Sequence, residues 1–388
     1  MQIKAVGKGI LIDNELVCIL CYADDIVLIA ENEQDLQCML TVLSQRCSLN
    51  SMMININKSN VVHFRPNSVA RSDFVFKCGE EVISYTDKYM YLGLLLTEHL
   101  DYNVSAKSVA QSASRALGLL IARYKTMGGM SFAVFSKLYN STVWPVISYA
   151  SAIWGTRTYS CINAVENRAQ RFFLGVGKYT PSAAVAGDMG WLPPIVKQYK
   201  NICNMWHRYS SMNISRINSK VFQWTVNIAG RNCKNWVFIV KKMFVDLGLR
   251  EPCNFPVMMS KYKLCDKVVK SMFSKSVTDW KNSISRPDAV RGVGRNKLRT
   301  YCQFKNDFAT EDYCKMILPH RHRSAFAKFR CGVAPIMLEI GRYSNVLLEN
   351  RVCPCCTNCI ETEKNMLCYI VRCILILDRH YLLSVIVQ

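Results

Sequence analysis

The sequence predicts an α+β unit over residues 1–100, followed by a mostly α-helical region that runs to the C-terminus. Three observations lead there. Before residue 100, short apolar runs broken by turn residues surround one stretch of helical periodicity, and after it long helical segments dominate. The charge changes at the same place. Residues 1–100 hold 8 basic and 12 acidic residues, net −4, whereas residues 101–388 hold 41 and 16, net +25. Finally, 388 residues of which 50% are hydrophobic and 20% charged are enough for real cores, which excludes wholesale disorder.

The elements follow in order. Gly7 to Leu11 reads as a strand, Asp13-Asn14-Glu15 as a turn, and Leu16 to Ala30 as a strand, a tight turn at Asp24-Asp25 and a second strand. Glu31 to Cys47 has helical spacing through Leu36, Met39, Leu40 and Leu43. Val61 to Phe64, Phe74 to Lys77 and Val82 to Ser84 read as further strands. Ser105 to Tyr124 and Phe132 to Ile153 read as long helices, the second kinked or broken at Trp144-Pro145 because proline lacks the N–H a helix needs. Helices are expected at 161–174, 194–209, 221–228, 234–247, 261–281 and 300–327. Arg286 to Arg299 holds five basic residues and three Gly or Pro with no apolar period, and reads as an exposed basic loop.

A basic excess confined to one part of a chain points to a polyanion, nucleic acid before an anionic membrane. The longest apolar stretch, 366–388, is interrupted by Arg372, Asp378, Arg379 and His380 and makes a poor membrane span, so no stable membrane association is expected. Thirteen of the 19 cysteines are scattered through residues 1–331. That odd, irregular set argues against a secreted disulfide framework and for an intracellular protein of nucleus or cytoplasm.

Asp24-Asp25 is the most informative pair. Two adjacent carboxylates in an apolar hairpin are costly to bury unless a cation compensates them, and Mg²⁺, with its preference for hard oxygen ligands, is the natural one. The plain alternative is a turn with solvated side chains. Lys58, placed between a helix and a strand, is either a flexible cation for a phosphate or a solvated head group. Tyr22 is either a stacking residue or an ordinary core aromatic. Tyr91-Leu92-Gly93 combines an aromatic with a glycine that lets two backbones approach closely.

On these residues the sequence resembles the reverse transcriptase of non-LTR (LINE-type) retrotransposons. Tyr22-Ala23-Asp24-Asp25-Ile26-Val27-Leu28 is similar to the family's C motif. Ile54-Asn55-Ile56-Asn57-Lys58-Ser59 with Val61-Val62-His63-Phe64 is similar to the D motif. Tyr91-Leu92-Gly93 is similar to the E motif, and Leu138-Tyr139 through Pro145 to Gly155 to the thumb helix. The order and spacing of four such motifs carry the resemblance more than any one of them. It continues less specifically through Lys297-Leu298-Arg299-Thr300-Tyr301, Ala327-Lys328-Phe329-Arg330, Glu339-Ile340-Gly341-Arg342-Tyr343 and Arg351-Val352-Cys353.

The resemblance implies RNA-directed DNA polymerase activity. Asp24 and Asp25 would be catalytic Mg²⁺ ligands, Lys58 an assisting cation, and Tyr22, Tyr91 and Gly93 would contact the primer. It divides the chain into a truncated palm (1–100), a helical thumb (101–210), a basic, mostly helical connecting region (211–335) and a cysteine-rich tail (336–388). The implied partners are RNA and DNA: a template–primer duplex and the element RNA. The family takes its third metal-binding Asp, from the A motif, and its fingers from sequence upstream. Only 23 residues precede Asp24, so the expectation is the C-terminal half of a polymerase, inactive alone, with the missing half conceivable in trans.

Arg291, Arg295, Lys297 and Arg299 alternate with glycine and polar residues and are expected to fan out along a phosphate backbone. In the tail, Cys353 and Cys356 have the spacing of a zinc knuckle's first half, but Asn365 and Ile370 stand where a His and a Cys would close it. Two readings stay open, a Zn²⁺ site built with Cys359, Cys368 or Cys373, and a decayed knuckle with free thiols. For the whole chain the alternatives to a polymerase fragment are a non-catalytic basic nucleic-acid-binding protein and a helical structural protein with a solvated basic surface.

Overall fold

The structure is a computed structural model that describes residues 6–12, 14–229, 235–249, 259–285, 297–354, 359–363 and 365–366. Eight short strands are followed by helices. The strands are β1 (Ile10–Ile12), β2 (Glu15–Val17), β3 (Ile19–Tyr22), β4 (Asp25–Leu28), β5 (Phe76–Cys78), β6 (Glu81–Ile83), β7 (Lys88–Tyr91) and β8 (Leu94–Thr97). The helices are α1 (Glu33–Leu49), α2 (Tyr102–Thr126), α3 (Phe132–Leu138), α4 (Trp144–Ser148), α5 (Ser151–Trp154), α6 (Ser160–Leu174), α7 (Ser182–Met189), α8 (Pro194–Ser210), α9 (Ile217–Ile228), α10 (Trp236–Asp246), α11 (Lys261–Ser285), α12 (Tyr301–Phe304), α13 (Asp312–Lys315), α14 (His320–Arg330) and α15 (Met337–Tyr343). This is the α+β unit and helical region that the sequence predicts. Among the described residues, no helix is long and apolar enough to cross a membrane.

The chain forms two compact units. The first comprises Met1–Gln111, Ser148–Tyr159 and Lys197–Val269, and the second Ser112–Ile147, Ser160–Val196 and Lys270–Gln388.

In the first unit, all strand pairing among the described residues is by antiparallel hairpins: β1–β2, β3–β4, β5–β6 and β7–β8. Helix α1 organises four of these strands, β3 to β6. Asn32 caps it by accepting from the Asp35 N–H at 2.8 Å, and Glu33 and Asp35 lie in its first turn, where the helix dipole favours negative charge. Its apolar stripe then buries Met39 with Cys18 against Ile19 and Leu28, and Leu40 with Phe76, Cys78 and Ile83. Val61 is held only by an isolated parallel bridge to Tyr85, so the strand expected at 61–64 is absent. The helical part of this unit packs around Trp206, whose ring lies 5.2 Å from Phe222, 5.4 Å from Phe244 and 6.0 Å from Trp236.

In the second unit, Phe135 stacks on Phe173 at 5.2 Å and Tyr139 packs on Trp191 at 4.6 Å. The discontinuity expected at Trp144-Pro145 takes the form of a π turn at Tyr139–Val143 just before it. Proline cannot donate to the Ser141 carbonyl, and such a widened turn is a recognised way to absorb that loss. Side chains back it up, with Asn140 Nδ2 donating to Ser136 O at 2.9 Å and Thr142 Oγ1 to Leu138 O at 2.8 Å.

Asp188, fully buried on α7, is the polar centre of this unit. Its carboxylate accepts from Tyr301 OH (3.0 Å), Tyr313 OH (2.8 Å) and both arms of Arg330 (2.9 and 3.1 Å). Burial, reinforced by that carboxylate, pushes both tyrosine phenols far above their usual range. The single helix expected at 300–327 is instead three pieces, α12, α13 and the start of α14. Pro319 disfavours helix at Leu318, and Tyr301 and Tyr313 turn inward to reach Asp188.

Candidate active site

Asp24 and Asp25 lie at the tip of the β3–β4 hairpin. The register is Ile19↔Leu28, Leu20↔Val27, Cys21↔Ile26 and Tyr22↔Asp25, which leaves Ala23 and Asp24 as a two-residue turn. The strands are shorter than the apolar run 16–30 because Leu16 pairs within β1–β2. A two-residue hairpin turn needs positive φ, and Ala23 supplies it at +52° without being a glycine. The hairpin base is held in the core, where Cys18 is 1% exposed and its carbonyl accepts from Ile29 N–H at 2.9 Å. Towards the tip, both faces open to solvent, with Leu20 and Tyr22 on one and Cys21 and Ile26 on the other.

Both carboxylates are exposed, and among the described residues neither makes a hydrogen bond or an ion pair. Hard, unpartnered oxygens on adjacent residues suit Mg²⁺. Asp24 and Asp25 would be its ligands, and the ion would supply Lewis-acid stabilisation of phosphoryl oxygens. Among the described residues, however, no group of three His, Cys, Asp or Glu is placed to hold a metal ion. The pair thus offers two carboxylates, with no third protein ligand beside them among those residues.

Lys58 ends a 3₁₀ turn, Ile56–Lys58, capped by Asn55, whose side chain accepts the Lys58 N–H at 3.2 Å. Its side chain is exposed, and its carbonyl accepts from Tyr89 OH at 3.2 Å, which ties this turn to β7. The β7–β8 hairpin runs from Lys88↔Thr97 to Tyr91↔Leu94, so Leu92-Gly93 is its turn. Leu92 has φ +46° and Gly93 φ +78°, the pair of positive values that a type I′ turn requires. Tyr149 clamps it. Its hydroxyl donates to the Leu92 carbonyl, and its ring carbon Cε1 lies 3.0 Å from where a β-carbon on Gly93 would sit. Gly93 thus suits the backbone of the turn, and the Tyr149 ring leaves little room for a β-carbon there, while Tyr91 is the half-buried strand residue that closes the turn. The sequence reading included Tyr149 in a thumb-like motif but missed its role and that of Tyr89. Nothing local in the sequence marks either contact.

The remaining predicted residues divide. Lys297 and Arg299 do not fan out into solvent, which corrects the expectation for these two residues, and residues 286–296 of the expected loop lie outside the described residues. Lys297 pairs with Glu339 at 3.2 Å and Arg299 pairs with the nearly buried Glu363, and both cations are mostly covered. Carboxylates far along the chain consume their charge. Arg291 and Arg295 lie outside the described residues. Cys353 is buried, with its N–H donated to Cys359 O at 2.8 Å, and Cys356 lies outside the described residues.

Of the known families, the model described as reverse transcriptase (RNA-dependent DNA polymerase) matches residues 6–96. No curated protein and no solved structure gives a significant match. The matched stretch contains the Asp24-Asp25 hairpin, Lys58 and the Leu92-Gly93 turn, so residues 6–96 are similar to a reverse transcriptase domain.

Proposed function

We propose that this chain is the primer-holding part of an RNA-directed DNA polymerase of the non-LTR retrotransposon type. The observation that supports it best is the pairing, within one matched stretch, of two different hairpin turns. One presents adjacent unpartnered carboxylates. The other presents a stiff turn backed by a tyrosine. Asp24 and Asp25 would hold Mg²⁺ at the reacting phosphates, Lys58 would offset developing charge there, and Tyr91-Leu92-Gly93 would hold the primer strand. Two carboxylates with no third beside them among the described residues bind metal weakly and preorganise no triphosphate site, so catalysis would need a further acid from another segment or a second chain. The partners are then a template–primer duplex and the element RNA. A non-catalytic nucleic-acid-binding protein is the second reading, favoured by the net +25 of residues 101–388.

Primer extension on an oligo(dT)-primed poly(A) template, with Mg²⁺ or Mn²⁺, tests the reading beside a binding titration on the same duplex. The expected result is salt-dependent binding without extension. Extension that disappears in Asp24→Asn would overturn the incompleteness of the site. Failure to bind template–primer at low salt would overturn the polymerase reading and its non-catalytic alternative together.

A further inference from the structure

Within the first unit, a cleft of about 610 Å³ lies beside the Tyr149 that clamps the β7–β8 turn. Its walls are the 148–152 segment, the C-terminal half of α8 and the first residue of α11. Buried contacts set this geometry. Cys203 on α8 and Cys265 on α11 touch with their sulfurs 3.3 Å apart, and the Cys265 thiol also donates to Asn204 Oδ1 at 3.1 Å. Asn201 Nδ2 donates to the buried Ser151 Oγ at 2.9 Å and so fixes the third wall. His207 and Arg208 lie one turn beyond Cys203 and Asn204, and Lys261 lies one turn before Cys265. Contact at the two sulfurs holds α8 against α11 and places cations from both helices at the same mouth.

The chemistry of the lining is one-sided. It contains Arg208, Lys261 and His207 and no carboxylate. Arg208 and Lys261 are exposed, and among the described residues neither makes an ion pair. A concave surface with cations of one sign concentrates a polyanion. Two tyrosines join them: Tyr209, and Tyr149, which is 54% exposed although its hydroxyl is committed to Leu92. Cations interleaved with aromatic faces suit a strand whose bases are unstacked, since each base offers a π-face and each phosphate a charge. A duplex keeps its bases inside and gains only the phosphate contacts.

We infer that this cleft binds a single-stranded segment of RNA or DNA without sequence preference. Arg208 and Lys261 hold its phosphates and Tyr209 stacks on a base, next to the turn assigned above to the primer. The inference rests on the polymerase reading for its biological setting but makes a separate physical claim.

Fluorescence anisotropy of the full chain with labelled oligo(U), oligo(dT) and a duplex, between about 50 and 200 mM salt, is the test. For single strands, Arg208→Gln/Lys261→Gln, which keeps much of the aliphatic stems, should lower the magnitude of the salt slope by about 1.4, two contacts at about 0.7 each. Affinity at low salt should fall about tenfold. Tyr209→Leu should weaken single-strand binding and leave the slope unchanged. Circular dichroism melting confirms folding, and Arg208→Lys/Lys261→Arg, which keeps both charges, should retain the slope. If the wild type binds but the Gln variant matches it, the cleft is overturned and the polymerase reading stands. Equal losses on duplex and single strand overturn the single-strand assignment. If the wild type binds no nucleic acid at all, both fall. A preference between oligo(U) and oligo(dT) identifies which strand occupies the cleft.

Discussion

At the scale of single residues, the sharpest demand in the molecule is at Gly93. Its φ of +78° lies where an L side chain is strained by about 1–2 kcal/mol, and a β-carbon there would also press on the Tyr149 ring. Gly93→Ala should therefore destabilise the first unit by at least that amount in urea unfolding, and an unchanged midpoint would refute the clamp. Tyr149→Phe removes only the hydroxyl donated to Leu92, a partly exposed acceptor, and should cost about 1 kcal/mol. Ala23, at φ +52° in the Asp24 turn, carries the same kind of backbone strain without being a glycine. The permissive glycine was legible in Tyr91-Leu92-Gly93, but the tyrosine that packs against it lies more than fifty residues away. No local pattern pairs the two.

At the scale of elements, the β7–β8 hairpin is anchored just past its last strand by Glu98. That carboxylate receives Arg71 at 2.7 Å and Arg65 at 3.1 Å, with His99 at 3.4 Å. The Arg71 hydrogen bond, followed by the charges of Arg65, Arg71 and His99, holds Glu98 below its ordinary value of 4.5. A depressed carboxylate contributes stability that is present above the unfolded-state value and lost as pH falls through the folded one. Acidification below that ordinary value should therefore loosen this hairpin more in the wild type than in Glu98→Gln, whose amide does not titrate. Hydrogen exchange of the β7 and β8 amides at several acidic pH values would show it, and parallel behaviour of the two proteins would refute it. Sequence reading found the helices well where an apolar stripe continued, as at 161–174 and 194–209. It missed β7–β8 as a hairpin because Tyr89 to Leu96 is almost uniformly apolar and shows no alternation for a strand period to reveal.

For the whole molecule, the largest single stake is Asp188. Removing this buried carboxylate strips Tyr313 OH of its acceptor, leaves Tyr301 OH with only the Ala184 carbonyl, and leaves Arg330 with Glu311, 3.0 Å away, as its remaining carboxylate, a loss of about 1–3 kcal/mol for the buried donor left unsatisfied. Asp188→Ala should lower the denaturant midpoint of the second unit by a corresponding amount, read by the fluorescence of Trp191 and Trp280. If the midpoint does not move, the network is not what holds α7, α12, α13 and α14 together. The sequence shows Asp188 only as one acid in Ala186-Gly187-Asp188-Met189, a small-residue stretch that resembles a loop as much as a helix. Its partners come from three elements that lie more than a hundred residues further on.

The sequence by itself determined the local architecture: the α+β beginning, the helical remainder, the turn that carries Asp24 and Asp25, and the uneven charge. Each of these rests on forces acting within a few residues, such as the period of apolar side chains, turn chemistry and the missing N–H of proline. Tertiary structure alone decided which cations face solvent. Lys297 and Arg299 are spent on Glu339 and Glu363, whereas Arg208 and Lys261 meet at one open cleft because two distant cysteines bring their helices together. Composition counts charges but does not pair them. Pairing depends on distances across the folded chain, and a buried carboxylate can cancel a cation that looks free in the sequence.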